Sequence, residues 1–549
     1  MKKKVVALFL AAAMVLGVSA CGNKTNEGTE TKKNSAVAQS SEQKESASEA
    51  EEEKSLYPIV DEPITVTGLV IGKDMTNKSR VVWDKVSEIT GIQIEWINVE
   101  GDAFATYLAG SDWPDFFAVY ASAFGAENVY DYGVEAGKLV DYSKHLDIMP
   151  NYAAALEEFP AAKKAITQEN GGFYELVGFE KSVTMNRPRA HYRNDILEKL
   201  GLKVPETVEE LYDVMTAVKE ANDGKAPFCY YGGFDENTGW GSVLYCAFGD
   251  SVQPDFEDDG NGNVIFNRTS EQYKHYLEYM HKLYDDGLLN QEYLTLDGNA
   301  ALSLAKEGTT VFLGNEAGNL PPDDFEDGEV HLDVLAPLTS EYSDSRQYPG
   351  RLPMHRKSVF YMNAESPYVE EMCKMFDIMY AREEVVEGSG LYGNSFCYGL
   401  EGVNWEFDSD ETYALILPEG YTGTFGTYQY SELIWDNSGY VDFSNRYTST
   451  PGNNQVRQKA YMKNLVPYMK DANKMFPDEY LTFTTDEQYV IMNKWSEIKT
   501  YFSEMKTKFI AGVADLDTQW DEYCKTIESM GIGEVLEVYQ AAYDRWNEM

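Results

Sequence analysis

Ile64-Thr-Val-Thr-Gly-Leu-Val-Ile71 alternates β-branched residues and reads as the strand that opens the ordered part of the chain. A helical stretch from about Val81 to Ile89 follows and stops at Gly91, and a second strand is predicted over Ile92–Val99. A helix near Asp102 to Leu108 and a short apolar strand from Phe116 to Tyr120 complete a β-α-β-α-β order. That order implies an α/β fold with a mainly parallel sheet and helices on its faces. In such sheets ligands bind beyond the carboxyl ends of the strands. Asp112-Trp113-Pro114-Asp115 precedes the third strand, and Tyr120 to Gly125 follows it.

Downstream, Gly171-Gly-Phe-Tyr-Glu-Leu-Val-Gly178 reads as a hairpin or strand. A short helix capped by Asn194 and ended by Gly201 comes next, then a helix opened by Thr207 with Glu210 as a capping box. A long helix is predicted over Glu271–Asp285 and a strand over Thr309–Gly314. The last third is helical: Thr485 and Gln488 are expected to cap a helix whose Ile491, Trp495, Ile498, Phe502, Met505 and Phe509 form one apolar stripe. Helices over Thr518–Met530 and Gly533–Trp546 follow it.

Upstream, Lys2, Lys3 and Lys4 precede the apolar run Val5–Val18, which leads to Ser19-Ala20-Cys21. This is the pattern of a secretory signal, 1–20, with a lipoprotein cleavage site. Cys21 is the expected lipidated residue, and the acyl chains are the only expected attachment to the membrane. Residues 21–60 lack bulky apolar side chains over most of their length and read as a tether. Localisation is therefore expected at the extracytoplasmic face of the cell membrane.

About 490 residues remain after this leader, enough for two or more domains. The formal net charge of −45 repels phosphate backbones, which excludes nucleic acid as a partner. Beyond Cys21 there are five cysteines, Cys229, Cys246, Cys373, Cys397 and Cys524, with no close CxxC spacing. They read as buried thiols, with a Cys229–Cys246 pair as the alternative. Six histidines, none in HExxH spacing, point to no zinc site, and no cofactor motif is present. Asp255-Phe-Glu-Asp-Asp-Gly-Asn-Gly-Asn263 resembles the first part of a calcium loop, but Phe266 stands where the bidentate Glu belongs, so a hairpin turn is the preferred reading.

Several stretches carry a resemblance. Tyr192-Arg-Asn-Asp-Ile-Leu-Glu-Lys-Leu-Gly-Leu-Lys-Val-Pro-Glu-Thr-Val-Glu-Glu-Leu211, Tyr398-Gly-Leu-Glu-Gly-Val-Asn-Trp405, Phe509-Ile-Ala-Gly, Trp520-Asp-Glu-Tyr523 and Gln540-Ala-Ala-Tyr-Asp-Arg545 occur in the order found in one family. The chain resembles the extracellular solute-binding proteins of carbohydrate ABC importers, in their larger Gram-positive lipoprotein branch. The resemblance implies a two-lobed type II periplasmic-binding-protein fold with a long helical C-terminal extension. It places lobe one at 61–180 and 341–390, and lobe two with the extension at 187–335 and 400–549. It also implies an oligosaccharide ligand, the transmembrane subunits of an importer as partners, and a monomer.

A sugar offers hydroxyls around its rim and C–H patches on its faces, so its site needs aromatic rings and planar polar side chains. Candidates are Asp112, Trp113 and Tyr120 on lobe one, with Tyr231, Trp240, Trp435, Asp436 and Arg446 on lobe two or the extension. For Trp113 and Trp240, packing in the core is the competing reading. Arg346, Arg351 and Arg356 with Tyr348 form a locally basic aromatic loop, and Arg351 is included as a candidate grip on an acidic sugar. No catalytic residue is assigned. The alternatives are a secreted glycoside hydrolase, which would use paired carboxylates, and a peptide-binding or sensory lipoprotein on the same fold.

Overall fold

The computed structural model describes residues 56–71, 81–181, 190–229, 235–237, 239–314, 331–421, 439–444, 446–450 and 453–549. The part from Ser55 to Met549 forms one compact unit. The signal sequence and Cys21 lie outside the described residues.

The opening strands form as expected, over Ile64–Ile71, Ile92–Val99 and Phe116–Val119. The first two pair in parallel from Ile64↔Ile92 to Ile71↔Val99, and the third joins the other side with Gly68 opposite Phe116. Six strands make the complete sheet, in the order Tyr440–Asp442, Leu176–Lys181, Met354–Met362, Phe116–Val119, Ile64–Ile71, Ile92–Val99. Met354–Met362 runs antiparallel to both neighbours, and Tyr440–Asp442 runs parallel to Leu176–Lys181.

Both faces of this sheet carry buried apolar side chains. Val66, Val70, Phe116, Ala118, Phe360 and Met362 face one core, while Leu69, Phe117, Val119, Val359 and Tyr361 face the other. Gly68 is required by this packing, because a Cβ there would stand 2.3 Å from the Phe116 ring.

The second lobe is built on a smaller antiparallel sheet in the order Phe312–Leu313, His191–Arg193, Leu332–Val334. Helices Val208–Ala221 and Glu271–Asp285 pack here, each with one apolar face buried. Phe256–Asp258 and Val264–Phe266 pair as a hairpin, in line with the preferred reading of the acidic loop. Asp255 is held by Arg268 at 2.7 Å, and the Asp258 and Asp259 carboxylates accept backbone N–H groups of the turn. A third small sheet, Trp405–Phe407, Thr412–Leu415 and Tyr447–Thr448, encloses its own aromatic core of Tyr392, Tyr398, Trp405, Tyr413 and Phe443.

The C-terminal helices cover Thr485–Val490, Ser496–Ile510, Leu516–Ser529 and Ile532–Glu548. Trp495, Ile498, Phe502 and Phe509 of the predicted stripe are buried. The capping box is one residue earlier than expected. Thr484 accepts from the Glu487 N–H, and the Glu487 carboxylate accepts from the Thr484 N–H. Asn194 is likewise not a cap: it is the first residue of helix Asn194–Leu200, and its side chain donates to Glu198. Thr207 does cap its helix, but Glu210 takes the N–H of Glu206 instead of closing the box.

Two stretches lie across the lobe boundaries drawn from sequence. The segment just after 341 packs on the second lobe, with Arg346 2.6 Å from Glu206 and Gln347 donating to the Gly249 carbonyl. The chain enters the first sheet at Met354. Tyr440–Asp442, assigned by number to the second lobe, is an edge strand of the first sheet. Edge position depends on partners distant in sequence, which periodicity does not report.

Candidate functional site

The carboxyl ends of the first sheet's parallel strands gather Tyr120, Lys181 and Asp442 at one edge. Tyr120 leaves Phe116–Val119 and turns the chain into helix Ala121–Phe124, half-buried against the main core. Lys181 ends its strand beside Asp442, with its Nζ 3.4 Å from the Asp442 carboxylate and 2.8 Å from that of Glu158. Part-burial alone would lower the Lys181 ammonium, but Glu158, Asp442 and Tyr440 hold it above the usual lysine range. Glu158 is tied down further by Arg382 at 2.7 Å and by the Tyr440 hydroxyl at 2.9 Å. Burial would raise its carboxyl, and these partners hold it below its ordinary value. These carboxylates are engaged in ion pairs, and no pair of them is left poised as acid and base.

Next to this edge stands the small aromatic sheet. Val441 and Phe443, the strand Tyr440–Asp442 and its continuation, enter its core directly. Arg446 follows, its guanidinium 4.5 Å from the centroid of Phe407 and its buried Nε without a hydrogen-bond partner among the described residues. A planar donor stacked on a ring is suited to a hydroxyl or carboxylate of a ligand lying against the aromatic surface.

In the second lobe the turn Asp235-Glu236-Asn237 is fixed by charge. Glu236 is 1% exposed and pairs with Arg268 at 2.8 Å and Lys506 at 3.1 Å. Arg268 in turn holds Asp255 and lies 4.8 Å from the Phe502 ring. Gly241 lets the following helix press against this turn, because a Cβ there would stand 2.1 Å from the Asp235 carbonyl oxygen.

The sequence candidates divide accordingly. Tyr120 lies at the carboxyl end of Phe116–Val119 against the main core, and Arg446 lies on the ring of Phe407 beside the small aromatic sheet. Tyr231, Trp435 and Asp436 lie outside the described residues. Asp112 is exposed and Trp113 half-buried at the amino end of Phe116–Val119, away from the carboxyl edge. The Trp113 indole donates to the Leu108 carbonyl and stacks edge-on against Phe117 and Tyr132, so its ring is engaged in packing. Trp240 is a core residue: it is fully buried, donates to the Leu313 carbonyl at 2.9 Å and packs on Phe228 and Phe312. Arg351 is exposed and lies 3.6 Å from the carboxylate of Glu479, with which it pairs.

Sequence reasoning passed over Lys181, Asp442 and Phe407. A strand-final Lys and a lone Phe in an acidic segment carry no local signal, since their partners come from other parts of the chain. Among the described residues, no group of three or more His, Cys, Asp or Glu side chains could hold a metal ion, and none of the five described cysteines is joined to another in a disulfide.

The family described as bacterial extracellular solute-binding protein matches residues 73–385. Over 503 residues, 88% of this chain and 90% of the relative, the chain is 24% identical to the fructooligosaccharide ABC transporter substrate-binding protein FusA of Streptococcus pneumoniae. It is 22% identical over 393 residues to the polygalacturonan/rhamnogalacturonan-binding protein YtcQ of Bacillus subtilis, covering 67% of this chain and 70% of the relative. A solved structure of an HMO-binding, ABC-transporter-associated solute-binding protein from Bifidobacterium longum infantis superposes with a TM-score of 0.69 at 21% identity, over 88% of this chain and 99% of that chain. The family match extends over more than half of the chain, and this chain belongs to the bacterial extracellular solute-binding proteins.

Proposed function

We propose that this chain is the lipid-anchored solute-binding subunit of an ABC importer, capturing an oligosaccharide between its lobes and delivering it to the transmembrane subunits as a monomer. The similarity to FusA over nearly the whole of both chains carries this reading. The structure supports it through Arg446 on Phe407 and Tyr120 at the carboxyl edge, groups that suit a ligand of hydroxyls and C–H faces. Lobes 61–180 with 341–390, and 187–335 with 400–549, remain the proposed division, with strand Tyr440–Asp442 and the segment before Met354 exchanged as described. Closure follows from mass action: a ligand touching both lobes binds the closed form better and shifts the population towards it.

No helix among the described residues is long and apolar enough to cross a membrane. Attachment is assigned to Cys21, and a Cys21→Ala variant is expected in the medium and not in the membrane fraction.

The test of the ligand class is calorimetry on the chain from Ser55, against fructooligosaccharides, uronic-acid oligosaccharides and peptides of similar length. Binding of one glycan class, with the glycan recovered intact, is the expected result. Binding of peptides alone would overturn the carbohydrate reading, and recovery of shortened glycans would replace transport by hydrolysis.

A further inference from the structure

Three side chains on one stripe of helix Asn453–Asn464 hold residues of three chain segments that flank the passages between the two larger sheets. Gln458, Tyr461 and Asn464 recur every third residue and therefore share a face. Asn464 donates to the Asp333 carboxylate at 2.8 Å and to the Val334 carbonyl at 2.9 Å, at the point where the chain leaves the second sheet on its way to Met354. The Tyr461 hydroxyl is 3.2 Å from His191 Nε2, and His191 opens the second sheet after residues 182–189 join it to Lys181. Gln458 accepts the Thr448 N–H at 2.7 Å and donates to the Tyr413 hydroxyl at 3.1 Å. Thr448 lies on the third segment, between Tyr440–Asp442 and this helix, and Tyr413 belongs to the aromatic core that includes Val441 and Phe443.

The two ends of the stripe thus belong to different lobes. Tyr461 and Asn464 fasten the helix to the second lobe, whereas Gln458 fastens it to the aromatic sheet that continues the first lobe's edge strand. All but Asn464 are deeply buried, and a buried donor or acceptor that loses its partner without gaining water is costly. Rotation of one lobe against the other concentrates at the joint between these two attachments.

We propose that helix Asn453–Asn464 is a hinge clasp, and that Gln458 is the positioning residue whose two hydrogen bonds set the equilibrium between lobe arrangements. The effect on ligand affinity rests on the proposed function; the effect on lobe arrangement does not. Gln458 acts at a distance from the ligand, by fixing how much of the population is competent to bind.

The test places spin labels on the two lobes by Glu95→Cys and Asp285→Cys in a Cys524→Ser background of the mature chain, and measures their separation without ligand by pulsed electron resonance. Gln458→Leu, which keeps the bulk and removes both hydrogen bonds, is expected to shift or broaden the distance distribution. It is also expected to weaken binding of a short fructooligosaccharide mixture by about tenfold, a change within the net contribution of the two hydrogen bonds lost. Gln458→Glu, which still accepts the Thr448 N–H, is expected to lie near the parent. Lys463→Ala, an exposed change on the same helix, is expected to superimpose on it. A Gln458→Leu protein that melts cooperatively with an unchanged distance distribution would overturn the clasp. Should that variant fail to fold, Tyr413→Phe, which removes one of the two bonds, is read by the same criterion. If the parent binds no fructooligosaccharide, the choice of ligand is wrong, and the label distances still decide the clasp.

Discussion

Lys164, on helix Pro160–Ile166 of the first lobe, donates a 2.9 Å hydrogen bond to the carbonyl oxygen of Trp546 on the last helix, with its ammonium 5.8 Å from the indole centroid. That last helix packs on the second lobe through Val535, Tyr539 and Ala542, so this single side chain joins the two lobes directly. Lys164→Met keeps the apolar stem and removes the donor. It is expected to increase the separation of the lobes in solution scattering of the ligand-free protein; an unchanged radius of gyration would show that the contact exerts no hold.

The Glu236–Arg268–Lys506 cluster makes stability depend on acid. Burial would raise the Glu236 carboxyl, but Arg268 and Lys506 pull it down to about 2. A folded value below the unfolded one, about 4.3, gives stabilisation that is complete above the unfolded value and lost as pH falls towards the folded one. Glu236→Gln is therefore expected to flatten the fall in the urea midpoint between about pH 5 and 2.5, relative to the parent. Parallel slopes would show that Glu236 does not govern this limb.

Removing the other partner leaves a buried charge with less compensation. Arg268→Met is expected to cost about 3–5 kcal/mol in chemical denaturation, because Glu236 and Asp255 lose the guanidinium between them. A loss below about 1 kcal/mol, the range of exposed pairs, would contradict the burial seen here.

Trp240 separates packing from ligand contact. Trp240→Ala is expected to cost about 3–5 kcal/mol, since it opens a cavity between Phe228 and Phe312 and leaves the Leu313 carbonyl without its donor. An unchanged melting temperature with lost oligosaccharide binding would return Trp240 to the ligand surface.

Arg446 is expected to show the opposite pattern. Arg446→Lys retains the charge but loses Nε and the planar face over Phe407, so oligosaccharide affinity is expected to fall about tenfold with little change in melting temperature. Equal affinity in calorimetry would remove Arg446 from the site.

The amino-acid sequence by itself determined the three opening parallel strands of the first sheet, the helical C-terminal third and the family. Ile64–Ile71, Ile92–Val99 and Glu271–Asp285 form over the residues expected, because strand and helix periodicity are set by near neighbours. The ordered stretches from Tyr192 to Arg545 pointed to the same family that matches residues 73–385. Tertiary structure alone decided which aromatic residues are core and which are surface. Trp240 and Arg446 both lie in polar, glycine- or serine-containing segments, yet one is enclosed by Phe228 and Phe312 and the other lies on Phe407. It also decided that Tyr440–Asp442 completes the first sheet beside Leu176–Lys181 and that Gln458 meets Tyr413. Burial, edge pairing and side-chain hydrogen bonds depend on residues tens to hundreds of positions apart, and a local pattern of hydrophobicity holds no record of which distant surface a side chain will meet.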